Sequence, residues 1–278
     1  MSTPRLAMST WSLPDASFGE CAEFAVANGF PALEIALLDP LRLRRQLTAG
    51  SATEAVGPAA GALSLSIHAP TAPTLVLAAD DPDRRAASYR LAREVLEYAA
   101  TVGAGPVVFH LEGEPARRTP AEKRERHRVL AGPLAGLAAY GAERGVQVTL
   151  ENTPPSLPTD LSGGCGPLAE LIERTGSPSL AATADIGHAA MEGGIEALEP
   201  LLPAVAHWHV HDNNLGADNH FRLGGGSVPW QELAANHWRG TDATLVLEIY
   251  AENGLGDPDP ARGAIASRQL ILDFHRSL

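Results

Sequence analysis

The chain has 278 residues, 45% of them hydrophobic and 19% charged, which is enough apolar sequence for a large core in one or two domains. No apolar run approaches the roughly 20 residues that span a bilayer, and the first residues lack the apolar core of a signal peptide. We therefore expect a cytoplasmic protein without a membrane partner. The net charge of −12 works against a sequence-independent grip on phosphate backbones, so a nucleic-acid partner is not expected.

Short apolar runs alternate with longer amphipathic stretches along the chain. The apolar runs predict strands at 6–12, 32–38, 63–69, 106–111, 146–151, 180–185, 205–211 and 243–250. The stretches between them predict helices near 16–28, 40–49, 83–102, 120–144, 165–175, 193–201, 230–238 and 261–277. Cys21 and Cys165 show no motif spacing and are expected to be free thiols.

The alternation of strands and helices predicts the fold class. Strands that are apolar on both faces and separated by helices indicate an α/β protein with a parallel sheet covered by helices. Eight such pairs favour a closed, single (β/α)₈ TIM barrel over an open sheet. No Gly-x-Gly-x-x-Gly follows the first strand, which disfavours a dinucleotide-binding fold. No linker divides the sequence, so we predict one domain over residues 1–278.

Most of the predicted strands end in side chains that bind metals. An ionised carboxylate at the end of an apolar strand is costly unless a cation or a partner compensates it. In a parallel barrel these strand ends converge on one face, where active sites are built. Carboxylate and imidazole ligands suit manganese, zinc, cobalt or magnesium. The candidates are His68, His110, Glu151, Asp185, His188, His209, His211, Asp218, His220 and Glu248.

The same residues also have purely structural explanations. Asp185 could cap the following helix, and a strand-end glutamate is often a salt-bridge partner. His207, His209 and His211 share one strand face and cannot all bind one ion; His207 lies deepest and is expected to be a packed polar residue. Satisfied or solvated polar groups are the alternative for His68, His110, Asp218 and His220.

The segment after the seventh predicted strand carries a family signature. It reads His209-Val210-His211-Asp212, then Asp218-Asn219-His220, then Gly224-Gly225-Gly226-Ser227-Val228-Pro229-Trp230. These runs resemble the His-x-x-Asp, Asp-x-His and Gly-x-Gly-x-(Ile/Val)-x-Trp motifs of the xylose isomerase-like TIM barrels. That superfamily includes sugar and sugar phosphate isomerases and epimerases, inosose dehydratase and endonuclease IV. The resemblance covers essentially the whole chain and is specific for the superfamily, but it does not choose a member.

The resemblance implies a function and a ligand set. In the isomerase and epimerase members, one divalent metal would be bound through Glu151, Asp185, His209 and Glu248. Glu151 and Glu248 would also act as a facing acid/base pair that moves a proton next to a carbonyl, while the metal stabilises the enediolate. His188 would contact a substrate hydroxyl. The expected protein is a metal-dependent sugar isomerase or epimerase with a small-molecule carbohydrate substrate, and a homo-oligomer is compatible with this.

Three alternative functions stay open. A related sugar or inosose dehydratase would use the same metal site, and a non-catalytic sugar-binding barrel would bind metal without exchanging substrate protons.

Several ketose 3-epimerases carry an arginine soon after the strand-7 acid, where this chain has Asn213 and Asn214, and no basic cluster implies a phosphorylated substrate. An endonuclease IV-like enzyme with three zinc ions would find counterparts for its nine ligands in His68, His110, Glu151, Asp185, His188, His209, Asp218, His220 and Glu248.

Overall fold

Eight parallel strands close into a barrel in chain order. The computed structural model describes residues 4–38, 43–44, 46–116, 118–154, 156–238, 241–252 and 255–278. The predicted (β/α)₈ barrel is confirmed, and each predicted strand overlaps an observed one. The barrel strands are β1 (Arg5–Ser9), β2 (Ala32–Ala36), β3 (Ser64–His68), β4 (Val107–His110), β5 (Val148–Glu151), β6 (Leu180–Asp185), β7 (Val205–Val210) and β8 (Thr244–Leu247).

Helices cover the outside of the barrel between the strands. They are α1 (Phe18–Ala27), α2 (Ala52–Val56), α3 (Pro82–Val102), α4 (Pro120–Ala142), α5 (Cys165–Thr175), α6 (Ile186–Glu192), α7 (Trp230–Asn236) and α8 (Pro260–Ser277). A small antiparallel pair, β9 (Ala251–Glu252) and β10 (Leu255–Gly256), follows β8. None of the helices in the described ranges combines the length and apolarity that a membrane crossing requires.

The sixth helix differs from the sequence prediction. A helix predicted at 193–201 is wrong, because α6 begins directly after β6 and ends at Glu192. Gly193 and Gly194 then adopt φ values of 159° and 117°, which end the helix before a 3₁₀ turn at Ile195–Leu198. The predicted helix at 40–49 lies partly outside the described residues. Cys21 and Cys165 are buried and are not joined by a disulfide, as expected.

Strand register brings the candidate ligands to one rim of the barrel. His110 pairs with Glu151, and Asp185 pairs with His209 across neighbouring parallel strands. Val210 pairs with Leu247, which places Glu248 one residue beyond β8 at the same level. Because side chains alternate along a strand, the residues two positions deeper also face the interior.

Local capping fixes where the longest helices begin. The Asp81 side chain accepts hydrogen bonds from the backbone N–H groups of Asp83 and Arg84, and Pro82 occupies the first turn of α3. Thr119 and Glu122 form a reciprocal capping box at the start of α4. These residues carry the helix-start signals that the sequence shows.

We expect Asp81→Ala to lower the free energy of unfolding by about 0.5–2 kcal/mol, because α3 loses the acceptor for two N–H groups. Urea denaturation followed by circular dichroism measures this change. Glu173→Ala, an exposed substitution near the end of α5, is the matched control and should have little effect. Equal stability of the two variants would contradict a capping role for Asp81.

Candidate metal centre

All ten sequence-predicted site residues lie at the carboxyl rim of the barrel. Eight are buried, while His110 and Asp218 keep partial exposure. A cavity of about 790 Å³ opens over them, and its walls include His68, Glu151, His188 and Glu248. Residues separated by up to 180 positions in the sequence therefore meet at one site, where we distinguish three neighbouring clusters.

The central cluster consists of Glu151, Asp185, His209 and Glu248. One possible ligand atom from each lies within 4.8 Å of all the others. The His209 Nδ1 atom is 3.2 Å from the Glu151 Oε2 atom and 3.4 Å from the Glu248 Oε2 atom. Ligands bound at the usual zinc distances in a tetrahedron stand about 3.3–3.6 Å apart. The four residues that the family resemblance implied are thus close enough to share one ion.

A second cluster shares Glu151 with the first. The Nε2 atoms of His110 and His68 lie 3.2 Å and 3.5 Å from the same Glu151 Oε2 atom. The two imidazole rings meet edge to face with their centroids 5.0 Å apart. Glu151 therefore lies where one carboxylate could serve two neighbouring ions.

A third cluster adjoins the central one through His188, whose Nδ1 atom is 3.3 Å from the Glu151 Oε1 atom. The Asp218 carboxylate is 3.2 Å from the His188 Nε2 atom and 3.0 Å from the His220 Nε2 atom. The rings of His188 and His220 are inclined at 72°. Both nitrogens therefore converge on the carboxylate from different directions, as ligands of one ion do.

His211 stands beside the third cluster in a different orientation. Its ring is stacked on that of His220, with centroids 3.7 Å apart and planes 10° from parallel. Parallel stacked rings direct their nitrogen lone pairs along separate planes rather than to one point. The His211 Nε2 atom instead lies 3.1 Å from the Asp185 Oδ1 atom. The His211 Nδ1 atom lies 3.4 Å from the Asp212 carbonyl oxygen, so a neutral ring cannot donate to both oxygens, and His211 stays among the possible ligands of the third cluster.

Gly187 makes the position of His211 possible. A Cβ atom added at Gly187 would lie 2.1 Å from the His211 Cε1 atom, far inside van der Waals contact. Gly187 is in the first turn of α6, which begins where the Asp185 side chain accepts the His188 N–H group at 2.7 Å. Asp185 does cap the next helix, but its second carboxylate oxygen faces the central cluster without a hydrogen-bond partner.

Four of the histidines have their ring orientation and tautomer fixed in the same way. In each, the Nδ1 atom contacts an oxygen acceptor, so the neutral ring carries its proton there and its Nε2 lone pair points at a carboxylate. That contact is repulsive unless a proton or a metal lies between the two atoms. The acceptors are the Ala69 carbonyl for His68 (2.8 Å), the Glu112 carboxylate for His110 (3.2 Å), the Asn152 carbonyl for His188 (2.9 Å) and the Glu248 carbonyl for His220 (2.8 Å).

The pKa values of Glu151 and His110 show how strongly the two side chains affect each other. Burial disfavours the protonated ring of His110, but Glu151 and Glu112 outweigh it and raise the pKa of His110 to about 10. Burial likewise opposes the ionised form of Glu151, but the charges of His209 and His110 hold its pKa well below the usual value. Glu151 is therefore ionised, and it draws a proton onto the His110 ring when no metal competes. Metal binding must displace these protons.

Several buried atoms of the clusters have no hydrogen-bond partner. An unsatisfied buried carboxylate oxygen costs free energy, and such groups need an explanation. A divalent cation in the central cluster would satisfy those of Glu151, Asp185, His209 and Glu248 together, and their oxygen and nitrogen chemistry fits manganese, zinc, cobalt or magnesium. The atoms are Glu151 Oε1, Asp185 Oδ2, His209 Nδ1, Asp218 Oδ1 and Glu248 Oε1.

Glu34 is a buried partner of the site that sequence reasoning missed. Its Oε1 atom lies 3.1 Å from the His209 Nε2 atom. Its Oε2 atom lies 2.9 Å from the His207 Nε2 atom and accepts a 2.9 Å hydrogen bond from the Ser66 hydroxyl. Glu34 thereby turns the Nδ1 atom of His209 towards the central cluster, as carboxylates behind metal-binding histidines do. His207 is fully buried beneath the site, as predicted.

Glu112 is a second missed partner. Besides contacting His110, its carboxylate accepts the backbone N–H of Ala72 at 3.3 Å and the hydroxyl of Thr159. It therefore joins the segments after β3, β4 and β5 and fixes the His110 ring. A glutamate two residues beyond a strand-end histidine was the available signal.

The family can be assigned at this point. A family model described as the xylose isomerase-like TIM barrel matches residues 22–272. The chain belongs to the xylose isomerase-like TIM barrel family. The predicted family membership is thus confirmed. The Asp218-Asn219-His220 part of the signature supplies two residues of the third cluster.

Relatives within and around this family are only partly informative about activity. The uncharacterized protein MJ1614 of Methanocaldococcus jannaschii is 35% identical over 144 residues, which are 52% of this chain and 54% of that protein. The crystal structure of a D-tagatose 3-epimerase-like protein has 21% identity and a TM-score of 0.76, covering 98% of this chain and 97% of that one. The TTHB071 protein of Thermus thermophilus, soaked with ZnCl₂, has 27% identity and a TM-score of 0.69, with coverages of 99% and 98%.

We expect Glu34→Gln to weaken metal binding about tenfold to a hundredfold, because His209 loses the carboxylate that orients it. Calorimetric titration of the metal-free protein with Mn²⁺ measures the affinity, and circular dichroism checks the fold. Glu173→Gln on α5 is the control for loss of one carboxylate. Unchanged Mn²⁺ affinity in Glu34→Gln would show that Glu34 serves packing alone.

Proposed function

We propose that the protein is a divalent-metal-dependent sugar isomerase or epimerase. The observation that carries this proposal is the central cluster, in which Glu151 and Glu248 face the same His209 nitrogen from separate strands. Both carboxylates are buried, and each has one oxygen without a hydrogen-bond partner. A pair of carboxyl groups at one buried centre can remove a proton and return it at a different position or face.

The chain's own residues provide most of what this chemistry requires. One of the two glutamates removes a proton from the carbon next to the substrate carbonyl. A proton is then returned to the substrate, either by the same glutamate or by the other one. A divalent cation held by Glu151, Asp185, His209 and Glu248 would supply the charge that stabilises the enediolate oxygens. The cavity walls limit access of water to the carboxylates, and His188 lies beside them where a substrate hydroxyl can be contacted.

The comparisons give the family and the fold and leave the reaction open. Solved structures with this fold include the D-tagatose 3-epimerase-like protein and the 3-keto-D-glucoside 4-epimerase of E. coli, the latter at 16% identity, a TM-score of 0.73 and coverages of 98% and 100%. At these identities the likeness shows the fold alone. The activity is therefore inferred from the central cluster of this chain.

We expect the metal-loaded protein to incorporate solvent deuterium into at least one member of a panel of ketoses and inososes. Glu151→Gln and Glu248→Gln should each reduce the exchange by about 10²-fold or more, because the general acid or base is lost. Glu173→Gln should exchange like the wild type. Mass spectrometry of the recovered sugars measures exchange, and product identification separates epimerisation from dehydration. Metal-loaded protein that binds sugars without exchanging any proton would indicate a non-catalytic barrel.

A multi-metal phosphodiesterase is the second candidate function, and the second and third clusters favour it. Their histidines point at Glu151 and Asp218 as ligands of further ions would. Neighbouring ions can activate water and hold a phosphate together. If Glu151 bridged two ions, it would not be free to act as a base. Against this candidate stand the net charge of −12 and the lack of Lys and Arg among the described residues of the cavity wall.

The number of bound ions separates the two candidates. For the isomerase or epimerase we expect one tightly bound ion per chain after reconstitution and dialysis, measured by elemental analysis. We also expect no cleavage of DNA that contains an abasic site. Three retained zinc ions together with cleavage of that DNA would overturn the isomerase assignment in favour of the phosphodiesterase.

A further inference from the structure

The cavity over the clusters has two chemically different ends. Its floor consists of the acidic and imidazole side chains already described. The remaining walls come from the segments after β1, β2, β5 and β8, and they are largely apolar. The residues on these walls include Trp11, Pro14, Leu38, Leu157, Pro158 and Tyr250.

Trp11 lies at the border between the two ends. Its ring contacts that of Tyr250, with centroids 4.7 Å apart at 64°, and that of His68, with centroids 5.7 Å apart at 31°. Tyr250 in turn contacts His220 at 4.2 Å. Trp11 and Tyr250 are both partly exposed, although aromatic rings of this size are mostly buried when they serve the core alone. The aromatic surface therefore continues directly from the ligand clusters into the apolar walls.

The described walls offer no positive side chain to an anionic substrate. They contain Glu112 and Asp218 but no Lys or Arg. Two basic side chains nearby already have acidic partners, since the Lys123 Nζ atom is 2.6 Å from Asp160 and Arg118 is 2.6 Å from Asp80. A phosphate or carboxylate on the far end of a substrate would therefore meet apolar surface and negative charge, which disfavours its burial.

The size of the cavity exceeds what a free monosaccharide needs. Its volume of about 790 Å³ lies in the upper part of the range for drug-sized ligands, roughly 300–1,000 Å³. A monosaccharide with its hydroxyls on the clusters would leave the walls around Leu38, Leu157 and Pro158 uncovered. Apolar surface of this kind gains free energy when an apolar group covers it.

We propose that the substrate is an uncharged keto sugar that carries an apolar aryl or alkyl substituent. Its polyol end lies over Glu151 and Glu248, and its substituent lies against Trp11, Leu157 and Tyr250. This inference rests on the proposed function, because it takes the clusters as the place where the sugar carbonyl is bound.

Binding of simple glycosides tests the inference without requiring turnover. Calorimetry of the metal-loaded protein compares phenyl β-D-glucopyranoside with methyl β-D-glucopyranoside and with glucose 6-phosphate. We expect the phenyl glycoside to bind at least about tenfold more tightly than the methyl glycoside, and the phosphate to bind most weakly. Leu157→Ser and Trp11→Ala should reduce the preference for phenyl, while Val129→Ser, at an exposed site on α4, should not.

Each result has a separate meaning. Equal binding of the phenyl and methyl glycosides would overturn the inference, as would tightest binding of glucose 6-phosphate. A phenyl preference that persists in Leu157→Ser and Trp11→Ala, with metal content unchanged, would also overturn it. A phenyl preference that both variants lose, in a protein that exchanges no sugar protons with solvent, would support the apolar subsite while contradicting the proposed isomerase or epimerase activity.

Discussion

The site depends on the repulsion among buried carboxylates that share histidine partners. Glu34, Glu151 and Glu248 all approach His209, and Asp185 lies beside them. Protonated histidine rings can offset this negative charge. The proton then occupies the nitrogen lone pair that would otherwise bind a metal. The fold therefore holds a buried centre whose negative charge protons on the rings can offset, and whose donor atoms would suit a divalent metal in their place.

The barrel supplies this assembly from ordinary strand register. His110 and Glu151 are paired neighbours, as are Asp185 and His209, so the rim needs no unusual backbone to gather them. Below the rim, Glu34 and His207 form a polar layer inside the barrel, where the ring of His209 gains its orientation. The rim and the interior beneath it are therefore one connected structure, and substitutions in the lower layer should alter the central cluster through His209.

The sequence was informative where a pattern had one physical cause. Apolar runs that are buried on both faces identified all eight strands, and polar residues at their ends or in the segments that follow identified the ten rim residues. The helix at 193–201 was misplaced because two glycines with positive φ values broke the pattern and Asp185 started α6 earlier. Glu34 was missed because it lies in the middle of β2 and not at its end. An isolated acidic residue within an apolar run has no partner nearby in the sequence that would reveal its role.

The close approach of α6 to β7 links two positions that lie far apart in the chain. The absence of a side chain at Gly187 leaves the space in which the His211 ring sits. A homologue with alanine or serine in place of this glycine would have to carry a smaller side chain in place of His211, or shift the helix. The two positions should consequently covary during evolution, and glycine paired with histidine marks the lineages that retain this imidazole behind Asp185.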